Sequence, residues 1–242
     1  MSFKDIISPS WVSLFDEIEP IIFKETEKLY FKEVSDKNKI IFPRYEDIFS
    51  FTKYCLYDDI KIVIIGQDCY HGEYYSNNKY NPQATGLAFS VPNNCKIPPS
   101  LNNIFENLLK YKNIYKKPKS GNLEYWAYQG VILLNTSLSV EKGKPNSHQH
   151  IWNKFTDELI KIISKNKDNI IFVMWGANAY SKYKIIQNKD NHKFIISSHP
   201  SPFSVYNKLG SYDSFMNTDT FGLINKYLKE DYQKDIIYWQ IN

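Results

Sequence analysis

Four short runs rich in isoleucine and valine, at 60–65, 131–134, 170–174 and 194–197, constrain this chain more than any other feature. None alternates polar with apolar residues, as expected of strands covered on both faces. Helical patterns lie between them. Ser100 is placed to cap a segment with Leu101, Ile104, Phe105, Leu108 and Leu109 on one face, and Ile151, Phe155, Leu159 and Ile163 form a second stripe. Upstream, Ser10 is placed to cap a helix burying Trp11, Leu14, Phe15 and Ile18, and Pro20 to begin the next. Strand and helix in alternation imply an α/β fold, with a central four-stranded parallel sheet flanked by helices on both faces. With no internal repeat or linker, the 242 residues read as a single domain, 1–242.

An unusual polar cluster follows each run: Gly66-Gln67-Asp68, then Asn135, then Trp175-Gly176, then Ser198-His199-Pro200-Ser201-Pro202. In parallel α/β sheets, ligands bind in the crevice beyond the carboxyl ends of the strands. Segments far apart in sequence would therefore deliver Asp68, Asn135 and His199 to one rim. Taken singly, Asp68 suits a turn, Asn135 a turn former and His199 a structural imidazole. Four clusters in the same place relative to four strands are a different matter.

Several reaction classes drop out. The chain has no G-x-S-x-G elbow, Walker loop, G-x-G-x-x-G or H-E-x-x-H, so triad, nucleotide and zinc-protease chemistry lack their signatures. Cys55, Cys69 and Cys95 are an odd set without C-x-x-C spacing, which argues against a disulfide framework and for a reducing compartment, cytoplasmic or nuclear. No stretch approaches the roughly twenty apolar residues of a membrane span, and the N-terminal residues lack a signal or transit pattern. Acid/base or electrostatic catalysis without metal or other cofactor remains. It suits cleavage of a glycosidic bond, whose sugar becomes cationic in the transition state. A carboxylate such as Asp68 stabilises that cation, and a donor such as His199 stabilises the departing anion.

The segments Gly66-Gln67-Asp68-Cys69-Tyr70-His71, Thr85-Gly86-Leu87-Ala88-Phe89-Ser90-Val91, Trp126-Ala127-Tyr128-Gln129-Gly130-Val131 through Leu134-Asn135, and His199-Pro200-Ser201-Pro202-Phe203-Ser204-Val205-Tyr206 resemble those of family 1 uracil-DNA glycosylases. The resemblance keeps the family's order from about residue 11 to about residue 229. It implies an enzyme of base-excision repair that hydrolyses the bond between a flipped-out uracil and its sugar, leaving an abasic site. By this resemblance Asp68 orients water and stabilises the sugar cation, and His199 donates as a neutral imidazole to uracil O2. Asn135 would match the N3–H and O4 of uracil and mismatch cytosine. Phe89 would stack on the extruded base, Tyr70 would exclude the thymine methyl, and the Gln67 backbone would add a contact. Ser100, Ser201 and Ser204 match phosphate-clamping serines, with His71 beside them on the DNA side. Phe203 stands where the family usually has a leucine that enters the base stack. The implied partners are uracil-containing single- or double-stranded DNA and a protein inhibitor that mimics DNA, or a replication partner; the expected state is a monomer.

The net charge of +4 permits a polyanionic partner, but Arg44 is the only arginine. Phosphate contacts must come from lysines, hydroxyls and backbone N–H groups. Cys69 replaces the proline expected in the water-activating loop, which adds an N–H and frees φ, so a looser loop is expected. Residues 73–80 read as an insertion forming an exposed, adaptable loop, and His148, His150 and His192 as structural. The alternative is a DNA-binding scaffold or processivity component of a replication complex, with weak or vestigial cleavage.

Overall fold

The computed structural model describes residues 2–242. Its strands are β1 (Ile41–Phe42), β2 (Ile62–Gly66), β3 (Glu73–Ser76), β4 (Lys79–Pro82), β5 (Val131–Asn135), β6 (Val140–Glu141), β7 (Ile171–Trp175) and β8 (Lys193–Ser197). The isoleucine and valine runs set four of them, β2, β5, β7 and β8. The helices are α1 (Val12–Asp16), α2 (Pro20–Ser35), α3 (Ser50–Tyr54), α4 (Pro99–Lys110), α5 (Glu124–Ala127), α6 (Gln149–Asn166), α7 (Gly176–Ser181) and α8 (Thr220–Lys226). The central sheet has the order β5-β2-β7-β8 and every pairing in it is parallel. Strands β2, β5 and β7 are buried at every residue. β8 departs from that expectation: as an edge strand it leaves Lys193, Phe194 and Ile196 half-buried.

Connection geometry explains the layers. From β2 the chain crosses through α4 and α5 to β5, then back through α6 to β7 on the other side of β2. Right-handed crossovers running in opposite directions place their helices on opposite faces. Accordingly α6 packs with α1 and α2, where Trp152 and Phe155 meet Phe3, Phe15 and Phe23. On the other face Trp126 of α5 meets Phe221 of α8 and Trp239. The reversal also leaves a crevice beyond the carboxyl ends of β2 and β7, where side chains of neighbouring loops converge.

Two capping expectations fail. Helix α4 begins at Pro99 behind Pro98, so Ser100 lies inside the first turn, and the prolines' fixed φ starts the helix without a side-chain cap. Near the N-terminus, residues Pro9–Trp11 form a 3-10 turn before α1, and the Ser10 hydroxyl accepts from the Tyr57 N–H at 3.5 Å instead of capping. The apolar faces are nevertheless buried as read from the spacing: Trp11, Leu14, Phe15 and Ile18 in one place, Leu101, Ile104, Phe105 and Leu108 in another. Pro20 does open α2.

The segment 73–80 is a regular hairpin, not an irregular loop. β3 and β4 pair antiparallel around Asn77-Asn78, both with positive φ. Asparagine tolerates that conformation, and two such residues make the tight turn whose twist matches flanking strands. The tyrosines on either side then supply strand residues.

Candidate active site

The site grows from the ends of three parallel strands. β2 stops at Gly66, which is in register with Asn135 at the end of β5. That pairing needs glycine: a Cβ on Gly66 would overlap Oδ1 of Asn135 and come within 2.9 Å of the Ala88 Cβ. Past the strand, the Gln67 carbonyl accepts from the Ser137 N–H at 3.0 Å and the Thr136 hydroxyl at 2.9 Å. These bonds lash the loop after β2 to the loop after β5. The exposed edge of β5 is covered in turn by 85–91, where the Ala88 N–H donates to the Leu133 carbonyl at 3.0 Å. Phe89 is delivered to the rim by that bond.

Phe89 has φ of 65°, a left-handed conformation that is costly for an aromatic residue. Its neighbours hold it there. The Tyr70 hydroxyl donates to its carbonyl at 3.3 Å, and Trp175 meets its ring edge-on at 5.3 Å between centroids. The His199 ring lies 5.9 Å away, tilted to it by 39°.

Gln67, Asp68, Cys69, Tyr70, His71, Phe89, Ser100, Asn135 and His199 all border one cleft of about 250 Å³, together with Pro145 and Asn146. Every proposed base-contacting and catalytic side chain therefore reaches one place. Asn146 was not singled out from the sequence. Its backbone N–H donates to Asp68 Oδ2 at 2.6 Å, and its side-chain oxygen accepts from Gln67 Nε2 at 3.0 Å. Like Asn77 and Asn78 it has positive φ, so an asparagine between Pro145 and Ser147 was the available signal.

Asp68 and His199 are tuned in opposite directions by the same cause. Burial pushes the Asp68 pKa above the usual carboxylate value, against the opposing pull of the Asn146 and Cys69 N–H groups and Ser137. Its Oδ1 is buried and has no protein hydrogen-bond partner. Burial lowers the His199 pKa to about 4, so the ring is neutral at pH 7. Its Nδ1 accepts from the Ser201 N–H at 3.0 Å, which leaves the proton on Nε2. Gly176, with φ of 88°, lets the chain pass behind: a Cβ there would sit 3.0 Å from that of His199.

Cys69 behaves differently from the loosening expected of it. The buried thiol donates to the Ser137 carbonyl at 3.4 Å and accepts from Asn135 Nδ2 at 3.6 Å, tying the loop at two points. Its pKa is raised, first by burial and then by Asp68, which keeps it a thiol. On the far side, the Ser201 and Ser204 hydroxyls pair at 2.9 Å, and Ser204 also donates to the His199 carbonyl at 2.9 Å. Phe203 between them is 93% exposed. His148 and His192 are buried in hydrogen bonds to Ser139 and to Ser164 and stay clear of the cleft. Among the described residues no group of three or more His, Cys, Asp or Glu side chains is arranged to hold a metal ion. Nor is any described helix long and apolar enough to cross a membrane.

Comparison with known proteins agrees with this geometry. The family model of the uracil DNA glycosylase superfamily matches residues 53–229. The uracil-DNA glycosylase of Borreliella burgdorferi (strain ZS7) is 44% identical over 236 residues, covering 97% of this chain and 98% of the relative. That of Francisella tularensis subsp. tularensis (strain WY96-3418) is 44% identical over 218 residues, covering 87% and 92%. The crystal structure of mimivirus uracil-DNA glycosylase superposes with a TM-score of 0.92 at 34% identity, over 100% of this chain and 90% of that one. A variant of the mimivirus enzyme, solved in complex with UGI, superposes with a TM-score of 0.93 at 34% identity, over 100% of this chain and 92% of that one. The chain belongs to the uracil DNA glycosylase superfamily and is a DNA-repair glycosylase that removes uracil from DNA.

Proposed function

We propose that the chain is a family 1 enzyme that works as a monomer on flipped-out deoxyuridine, with Asp68 and His199 at the two ends of one charge separation. The carrying observation is the His199 ring, neutral and held with its proton on Nε2 by the Ser201 N–H. A neutral imidazole is a very weak acid at Nε2–H, so it donates to developing negative charge without surrendering its proton. As the bond between C1′ and N1 lengthens, its electron pair passes into the uracil ring, and Nε2–H of His199 donates to O2. The sugar becomes cationic beside the Asp68 carboxylate, which borders the cleft and orients a water toward C1′. The water oxygen bonds to C1′ and its proton passes to Asp68, giving the abasic site and the uracil anion. Asp68 then releases that proton to solvent, and the departing anion takes one up to become free uracil.

Selectivity follows from the remaining wall. Asn135 presents an amide that matches uracil, Tyr70 occupies the space of a thymine methyl, Phe89 stacks on the base, and the Gln67 backbone adds a contact. Ser100, Ser201, Ser204 and His71 hold the flanking phosphates, and exposed Phe203 enters the stack the uracil leaves. Both single- and double-stranded DNA are substrates in this reading. A protein inhibitor of the kind bound to the mimivirus enzyme would cover the same face.

The test is abasic-site formation on an oligonucleotide carrying one deoxyuridine. Asp68→Asn should lower kcat by about 10²- to 10⁴-fold, the usual worth of a positioned acid/base group, while binding persists. A wild-type protein that binds the oligonucleotide and leaves uracil attached would instead favour the scaffold reading.

A further inference from the structure

The hairpin of β3 and β4 carries an aromatic pair that the cleft does not use. Tyr75 and Tyr80 face each other across the two strands, with ring centroids 5.3 Å apart in an edge-to-face arrangement. They are 63% and 70% exposed, so neither ring is covered by the body of the protein. The opposite face of the hairpin is anchored: Tyr74 packs on the core, and Asn81 accepts from the Arg44 guanidinium at 3.1 Å. An anchored hairpin with one bare aromatic face is a platform.

Its root is the rim of the active-site cleft. Strand β3 starts two residues after His71, which borders the cleft. The Gln83 N–H donates to the Gly72 carbonyl at 3.0 Å, closing the hairpin's base. The Gly143 N–H donates to the His71 carbonyl at 3.0 Å, and Lys142 forms an ion pair with Glu73. The same segment supplies the Asn146 N–H to Asp68, so hairpin and catalytic loop share one brace. From Gly72 to Tyr75 the strand advances about 10 Å. That distance corresponds to about three steps of a strand whose bases stay stacked, at about 3.4 Å each, and to fewer where the strand is extended.

We infer that Tyr75 and Tyr80 form a stacking platform for unpaired bases of the strand that carries the uracil, a few nucleotides from the flipped one. The inference rests on the cleft being the uracil site. Every base has a π face, so aromatic platforms hold single strands without reading sequence. Lys79, exposed beside Tyr80, supplies positive charge for the backbone in a chain with a single arginine. In a duplex the bases are already stacked, and the platform gains nothing.

The experiment uses the full-length protein with Tyr75→Ala/Tyr80→Ala, and Tyr75→Phe/Tyr80→Phe as the variant that keeps both ring faces. Substrates are a single strand of about 20 nucleotides, long enough to span cleft and platform, with a central deoxyuridine; the corresponding duplex; and a tetranucleotide confined to the cleft. The alanine variant should raise KM on the long single strand about tenfold, the order of one lost stacking contact, with kcat unchanged. The phenylalanine variant should match wild type. A fluorescent adenine analogue three nucleotides from the uridine should be quenched on binding to wild type and not to the alanine variant. Wild-type KM values for the alanine variant on the long strand overturn the inference and leave the pair to a protein partner. An equal rise in KM on the duplex overturns it as well, because it points to a phosphate contact. Failure of the wild type to release uracil from any of the three substrates would count against the uracil site itself, a separate outcome.

Discussion

Cys69 stands where a proline is expected, yet its thiol reaches both Asn135 and the Ser137 carbonyl. One amide hydrogen of Asn135 is thereby committed to sulfur. The side chain keeps its oxygen and its other hydrogen for the role proposed for it, in a fixed orientation. Cys69→Ala removes the tether without disturbing a backbone bond. It should raise KM for uracil DNA about fivefold, the worth of one ordinary hydrogen bond, with kcat within about a factor of two. Steady-state kinetics on one deoxyuridine oligonucleotide would show this, and an unchanged KM would mean the thiol only fills space. Sequence placed Cys69 beside Asp68 and raised the question of rigidity. The answer needed Ser137 and Asn135, which approach it from another strand.

At the scale of elements, the register of β2 on β5 decides the site. Gly66 pairs with Asn135, and Ala88 binds the outer edge of β5, so Asn135 and Phe89 are both set by one sheet edge. Gly66→Ala puts a methyl group into Asn135 and against Ala88. Asn135 can swing aside but Ala88 is buried in the core, so the protein should fold with a lowered Tm, the cost of about 1–3 kcal/mol of overpacking. Its kcat/KM on uracil DNA should fall at least about tenfold, because displacing positioned groups by an ångström is costly in catalysis. A variant with wild-type kcat/KM would show that Asn135 has room to yield. The hairpin of β3 and β4 belongs to the same scale. Its turn, Asn77-Asn78, carries a recognisable pattern, and reading 73–80 as a loop missed how two positive-φ asparagines organise flanking tyrosines.

For the whole molecule, burial of imidazoles ties stability to pH. His199, His192 and His148 all lie below the ordinary imidazole pKa because burial disfavours their charged forms. The unfolded chain takes up these protons near about pH 6.5, whereas folded His199 does so only near pH 4. Between those values the unfolded state binds more protons, so stability falls as pH drops. From pH 7 to pH 5, His199 alone should cost about 2 kcal/mol. Urea unfolding of wild type and His199→Gln at both pH values isolates it: the variant should lose about 2 kcal/mol less. Equal losses would remove His199 as the source. Asp68 and Asp47, raised by burial, act with the opposite sign, because the folded state takes up their protons first, and they are common to both proteins.

Periodicity and local chemistry were enough to determine the four core strands, the buried faces of α4 and α6, and the clusters that follow each strand. Those features depend on residues close in sequence and on the rule that apolar faces seek cover. The helix starts at Ser10 and Ser100 were misplaced because neighbouring prolines set φ before any hydroxyl could cap. Only the tertiary structure decided that the Asn146 N–H closes on Asp68, that Ser201 sets the His199 tautomer, and that Cys69 holds Asn135. Each of those contacts involves a backbone or sulfur atom whose direction is set by the surrounding packing, with Asn146 and Asn135 arriving from distant segments. Burial does the rest: it raises Asp68 and lowers His199, and no residue type announces its depth.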